Sequence, residues 1–156
     1  MKIMFVCHGN ICRSPMAEFI MKELARREGL SDKLAVASSA TSTEEIYMGV
    51  GNPIYPGAKE ELLRRGIPFD ERCATRLFFS DYEKYDLFVG MDHANVRTMY
   101  RIFGTDPERK IKKLLDYTGS GADVADPWYS DRFDVAFDDI MEGCEALMEK
   151  IKNDIS

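Results

Sequence analysis

The sequence predicts an α/β fold built as one domain of three layers, a four-stranded parallel sheet with helices on both faces. Three observations carry this. Four short apolar runs alternate along the chain with segments whose apolar residues recur at helical spacing, and such alternation means parallel strands joined by right-handed helical crossovers. The length of 156 residues is close to the commonest for a single domain. No internal repeat, low-complexity tract or linker divides the chain, so residues 1–156 read as one domain.

In chain order, Lys2-Ile3-Met4-Phe5-Val6 is the kind of apolar run a buried parallel strand needs. After a loop, Pro15 suits a first helical position, with Ser14 before it as N-cap. Met16, Phe19, Ile20, Leu24 and Arg27 follow at helical spacing, and Gly29 ends the helix. Leu34 to Ser38 reads as the second strand. Residues 39–56, rich in Ser, Thr, Gly and Pro, read as a long loop. Ala58 to Arg65 reads as a helix with Leu62 and Leu63 inward, stopped by Gly66 and Pro68. Asp86 to Met91 is the third strand. Asp92 caps a helix with Val96, Met99, Tyr100 and Phe103 on one stripe, stopped at Gly104. Ile111 to Leu115 is the fourth strand, and Tyr117 to Tyr129 is loop. The last helix carries a continuous apolar face from Phe133 through Phe137, Ile140, Cys144, Leu147 and Met148 to Ile151.

Composition narrows the function. An apolar fraction of 45% suffices for a core without disulfide or metal staples. A net charge of −6 argues against a nucleic-acid binder, which shows a basic face. No run approaches the length of a membrane span, and Met1 to Cys7 is too short for a signal peptide. A cytoplasmic protein with reduced thiols is expected. The four cysteines, Cys7, Cys12, Cys73 and Cys144, do not pair into C-x-x-C sets, and His8 and His93 lie far apart, so no zinc site is expected.

The chemistry sits at residues 7–14, Cys-His-Gly-Asn-Ile-Cys-Arg-Ser. A cysteine ends a buried strand, five residues separate it from Arg13, and a helix follows. A helix N-terminus offers free N–H groups and the positive end of a dipole to an anion. Gly9 lets a tight loop turn further N–H groups inward, and Asn10 tolerates left-handed backbone. Arg13 supplies a planar fork that matches two phosphate oxygens. The residues expected to cradle the phosphate are thus His8, Gly9, Asn10, Ile11, Cys12, Arg13 and Ser14. The same groups favour thiolate at Cys7, since helix N-termini and cations make cysteine more acidic. Alone, a cysteine ending a strand is more often a core residue; the strand–loop–helix setting is what turns the reading toward a nucleophile. A Walker loop is excluded, because no Gly-Lys-Ser/Thr triplet closes the turn.

Cys7 to Glu18, CHGNICRSPMAE, resembles the signature of the low molecular weight protein tyrosine phosphatases. The resemblance extends to Val36–Ser42, Gly51-Asn52-Pro53, Tyr85-Asp86, Met91-Asp92 and Asp126-Pro127-Trp128-Tyr129. It implies a four-stranded parallel sheet and a phosphatase that works without cofactor or metal. It also implies roles: Cys7 as nucleophile, Arg13 as phosphate ligand, and Asp126 as general acid and then base. Asp126 by itself would be a turn aspartate before proline. Ser14 is expected to donate to the Cys7 thiolate besides capping, and Asn10 and Ser38 resemble residues that brace the loop. A histidine often joins that network in the family; the aligned position here is Arg72.

The pocket residues point to phosphotyrosine. Trp128 and Tyr129 can wall a slot for a flat ring. In relatives that hydrolyse phosphoarginine the position of Ile11 resembles a threonine and the late loop lacks the tyrosine. Residues 43–50 differ most from the family, and Tyr47 is expected to replace the aromatic wall, with two glutamates nearby that repel acidic peptides. Rival readings are a protein arginine phosphatase, an arsenate reductase on the same fold, which needs further relay cysteines, and a non-catalytic phosphate-binding module. In the family Cys7 and Cys12 form a redox pair. The expected partner is a phosphotyrosine-containing protein, with the chain monomeric or weakly self-associating.

Overall fold

The structure is a computed structural model, described here for residues 1–155. Four strands, β1 (Lys2–Cys7), β2 (Ala35–Ala40), β5 (Leu87–Gly90) and β6 (Ile111–Lys113), form one parallel sheet in the order β2-β1-β5-β6. The connection from β1 to β2 runs through helix α1 (Arg13–Arg27), and that from β5 to β6 through α3 (His93–Phe103). The chain leaves β1 toward one edge of the sheet and fills the other edge later. The C-terminal end of β1 is therefore the switch point at which open α/β sheets bind ligands.

Strand alternation divides the core in two. Ile3 and Phe5 of β1 face α1, helix α2 (Pro56–Arg64) and the long helix α5 (Phe133–Ile155), where Met16, Ile20, Ile140, Cys144 and Leu147 are buried. Met4 and Val6 face the opposite side, against Phe88, Met99 and Phe103. Helices thus cover both faces, as the alternating pattern predicts.

Several local expectations need correction. Helix α1 begins at Arg13 with Cys12 at its N-cap, and Ser14 lies inside the first turn, its hydroxyl directed to the loop instead of the helix end. Strand β2 runs on to Ala40 because its last residues pair with Val6 and Cys7. Residues 39–56 are not all loop: β3 (Ile46–Tyr47) and β4 (Val50–Gly51) form a small antiparallel hairpin. Its two-residue turn, Met48-Gly49, has positive φ at both positions, 52° and 81°, as primed hairpin turns require. Gly51 is needed because a Cβ there would lie 1.9 Å from the Ala74 carbonyl oxygen.

In α2 Ala58 and Leu62 face the core, while Leu63 is 68% exposed. Adjacent helical residues lie about 100° apart, and the buried position beside Leu62 is the one before it, Glu61, which is bound by Arg64 and Arg65. Tyr100 likewise leaves the α3 stripe and is exposed. The fourth strand stops at Lys113 and becomes a 3-10 turn over Leu114–Thr118, and the late loop contains a one-turn helix, α4 (Pro127–Ser130).

Candidate active site

Cys7, 4% exposed, closes β1 at the floor of a cleft lined by residues 7–13 with Glu44, Glu45, Asp126, Trp128 and Tyr129. The loop above it is held by its carbonyl oxygens. Those of Cys7 and His8 accept from the Thr41 and Ser42 N–H groups at 2.9 and 3.1 Å, that of Ile11 from Tyr55 at 2.9 Å, and that of Cys12 from Met16 at 3.1 Å. The Asn10 carbonyl accepts from Arg72 Nη1 at 2.7 Å. A trans peptide points its C=O and N–H in opposite directions. Carbonyls tied outward therefore turn the N–H groups of His8, Gly9, Ile11, Cys12 and Arg13 toward the space over Cys7. Asn10, at φ 59°, makes the left-handed bend, and its own N–H donates to Cys7 Sγ at 3.3 Å.

Arg13 is buried, and its guanidinium is set from behind. Nη1 donates to Asp92 Oδ2 at 2.9 Å and to the Val124 carbonyl at 2.8 Å, and Nη2 lies 3.6 Å from Asp126 Oδ2. Burial acts to lower the Arg13 pKa, but Cys7, Asp92 and Asp126 together raise it, so the fork stays charged. Asp92 does cap α3, accepting from the Asn95 N–H at 2.8 Å. Its other oxygen anchors Arg13, a contact across 79 positions that the local sequence did not disclose.

Asp126 is the N-cap of α4: Oδ1 accepts from the Trp128 N–H at 3.0 Å, which leaves Oδ2 facing Arg13 and the cleft. Trp128 packs edge-on against Tyr55 at 5.2 Å, so the residue that holds the Ile11 carbonyl also steadies this wall. Tyr129 stands at the mouth, 87% exposed. Ser14 Oγ lies 3.0 Å from Cys7 Sγ and accepts from Asn10 Nδ2 at 2.8 Å. Ser38 is not in contact with the cleft; it donates to Glu18 at 2.6 Å and stands 3.4 Å from Arg72.

Most of the site residues read from the sequence line this cleft; Ser14 and Ser38 stand behind the loop, and Tyr47 is elsewhere. Tyr47 is 80% exposed in the hairpin and does not line the cleft. Glu44 and Glu45 occupy that wall. Glu44 pairs with His8 at 2.9 Å, and Glu45 packs over Gly9 and accepts from Asn52 Nδ2 at 2.7 Å. Tyr55, Asp92 and Arg72 are the supports that spacing did not assign. Cys12 lines the cleft as a buried thiol whose pKa is pushed up to about 12, first by burial and then by Cys7, Asp126 and Glu45, against Arg13. Cys73 is exposed and Cys144 is buried in the core.

An inward ring of amides, a fixed guanidinium and a buried thiol can bind a tetrahedral dianion and attack it, and a carboxyl beside them can supply a proton. Comparison with known proteins agrees. A family model described as low molecular weight phosphotyrosine protein phosphatase matches residues 2–156. Low molecular weight protein-tyrosine-phosphatase YfkJ of Bacillus subtilis is 38% identical over 97% of this chain and 96% of its own length. The PtpA protein of Staphylococcus epidermidis, of the same description, is 33% identical over 97% and 94%. The crystal structure of YfkJ superposes with a TM-score of 0.93 at 36% identity, covering 100% of this chain and 97% of that one. A structure of the YwlE arginine phosphatase, with a phosphorylated active site serine, superposes at 0.83 with 32% identity over 99% and 97%. By its fold, its cleft and these matches, the chain belongs to the low molecular weight phosphotyrosine protein phosphatase family.

Proposed function

We propose that the chain hydrolyses phosphotyrosine in proteins through a phosphocysteine intermediate, working as one catalytic domain over residues 1–156. The observation that carries this reading is the meeting, on one cleft, of the Cys7 thiol, the inward amides and the Arg13–Asp126 pair. In the first step the Cys7 sulfur attacks phosphorus in line. The S–P bond forms as the P–O bond to the phenol breaks, and the Asp126 carboxyl gives its proton to the departing oxygen. The Arg13 guanidinium and the inward amides of His8, Gly9, Ile11, Cys12 and Arg13 hold the equatorial oxygens. In the second step Asp126 takes a proton from water, whose oxygen attacks phosphorus. The S–P bond breaks, inorganic phosphate leaves and the thiolate returns. The Ser14 hydroxyl, 3.0 Å from Sγ, donates to that thiolate.

Ile11 inside the cradle and Trp128 and Tyr129 at the mouth favour a flat aryl ester. Glu44 and Glu45 on the facing wall disfavour acidic neighbours of the phosphotyrosine. Cys7 and Cys12 share the cleft. A Cys7 sulfenic acid formed by peroxide can condense with the Cys12 thiol, losing water to give a disulfide that thiols reverse. A free thiolate suits the reducing cytoplasm, where a monomeric or weakly self-associating chain meets its phosphoproteins. Among the described residues no helix is long and apolar enough to cross a membrane.

The test is hydrolysis of matched phosphotyrosine, phosphoserine and phosphoarginine peptides by wild type and by Cys7→Ser. The expected result is phosphotyrosine turnover by wild type alone. Preference for phosphoarginine would move the chain to the activity of the YwlE arginine phosphatase.

A further inference from the structure

The residue that follows Cys7 is a histidine, and its side chain turns to the segment that opens the hairpin. His8 Nε2 lies 2.9 Å from Glu44 Oε2. The backbone brings the two together. The His8 carbonyl accepts from the Ser42 N–H at 3.1 Å and from the Ser42 hydroxyl at 2.9 Å, and the Glu44 N–H donates to that same hydroxyl at 3.4 Å. Glu45 stands beside them, packed over Gly9 and held by Asn52 Nδ2 at 2.7 Å. His8, Glu44 and Glu45 all line the cleft, with Trp128 and Tyr129 at its mouth.

The contact survives a change of charge. A neutral imidazole with its proton on Nε2 donates to Glu44, and an imidazolium does the same. The second proton goes to Nδ1, on a side chain that is 53% exposed. Protonation therefore leaves the wall in place and alters only its charge. With the ring neutral the wall holds two carboxylates; with the ring charged one of them is offset. Imidazoles ordinarily make this change between about pH 5 and 8. An exposed ion pair adds little to stability, but at low salt its field reaches a bound peptide across more than about 10 Å. The other ionisable groups around the cleft are Cys7, Cys12, Arg13, Asp126 and Tyr129. Cys7 and Asp126 act on the phosphate, which every phosphotyrosine peptide shares, and Arg13 is fixed by Asp92.

We propose that His8 is a specificity-determining residue: paired with Glu44, it sets the net charge of the wall that meets the residues flanking phosphotyrosine. The preference for basic over acidic neighbours is strongest when the imidazole is neutral and weakens when it takes a proton. This rests on the phosphotyrosine reading.

The test compares a lysine-flanked with a glutamate-flanked phosphotyrosine peptide on the full-length chain at low salt. The readout is the ratio of their kcat/KM values within one enzyme, so changes in the rate of chemistry cancel. In wild type the ratio should fall about two- to threefold between about pH 8 and about pH 5.5, because one of two negative charges is offset. His8→Asn should keep the higher ratio at both ends of that range, and His8→Lys, a permanent cation, should keep the lower one. A slope in His8→Asn equal to that of wild type, or a His8→Lys ratio as high as that of wild type at the alkaline end, would overturn the proposal. Wild type alone decides the matter if the variants do not fold. It has two histidines, His8 and His93, and the midpoint of the change in ratio should coincide with the titration of the His8 ring followed by proton NMR; midpoints that disagree would also overturn it. If wild type hydrolyses neither peptide, it is the phosphotyrosine reading that fails, before any ratio is taken.

Discussion

At the scale of single residues, Asp126 shows how far spacing could reach. As a residue before proline in a polar loop it had no local mark of catalysis. The structure places its free oxygen 3.6 Å from Arg13, at the edge of a cleft whose floor is Cys7. Asp126→Asn keeps the cap shape and loses the proton. It should lower kcat for aryl phosphates by about 10²–10⁴ while inorganic phosphate still inhibits; an unchanged rate would remove Asp126 from the mechanism. Cys7, Arg13 and Asn10 were legible because strand, turn and helix start are local features. Asp92 and Tyr55 were not, because each acts on the loop from a distant part of the chain, and Arg72 was reached only through the family resemblance. Ser14 was read as a cap because a hydroxyl before proline fits that rule, but the helix starts two residues earlier, at Arg13, with Cys12 as its N-cap.

At the scale of elements, the hairpin of β3 and β4 is what the loop reading of residues 39–56 missed. Two-residue strands give no periodicity to read, and Met48 is an unusual occupant of a left-handed turn position, so the segment passed for loop. Its consequence is an acidic wall of Glu44 and Glu45 where an aromatic wall was expected. Among the cleft residues Arg13 is already faced by Asp92 and Asp126, and His8 by Glu44. A phosphotyrosine peptide with lysine neighbours should therefore be turned over with roughly three- to tenfold higher kcat/KM than one with glutamate neighbours at low salt. The ratio should shrink in 0.5 M salt and approach one in Glu44→Gln/Glu45→Gln. Measured within one enzyme, it is independent of the rate of chemistry. A ratio of one in wild type would remove the hairpin from substrate choice.

At the scale of the whole molecule, the parallel sheet and its helices were readable because buried strands and amphipathic helices leave distinct periods, and α5 leaves the longest. Strand ends were displaced by tertiary pairing, as when Ala40 is held in register by Cys7. Folding also buries thiols. Burial is the leading cause that pushes Cys12 up to about 12 from an ordinary 9.0, and it pushes Cys144 higher still. The unfolded chain ionises these thiols near pH 9 and the folded chain does not. Their contribution is thus intact below pH 9 and is lost as pH climbs toward 12, by about 1.4 kcal/mol per pH unit for each group. Urea midpoints should be level from pH 6 to 8.5 and decline above 9, less steeply in Cys144→Ala than in wild type when each is compared with its own neutral value.

All of this turns on one covalent bond. Acid quenching of Asp126→Asn during turnover of an aryl phosphate, followed by peptide mass analysis, reads it directly, because loss of the base slows breakdown of the intermediate. The account predicts phosphorus on the peptide containing Cys7, at the sulfur, appearing with substrate and disappearing when substrate is spent. Turnover with no phosphorus on Cys7 at any time, or turnover that persists in Cys7→Ser at the wild-type rate, would contradict it.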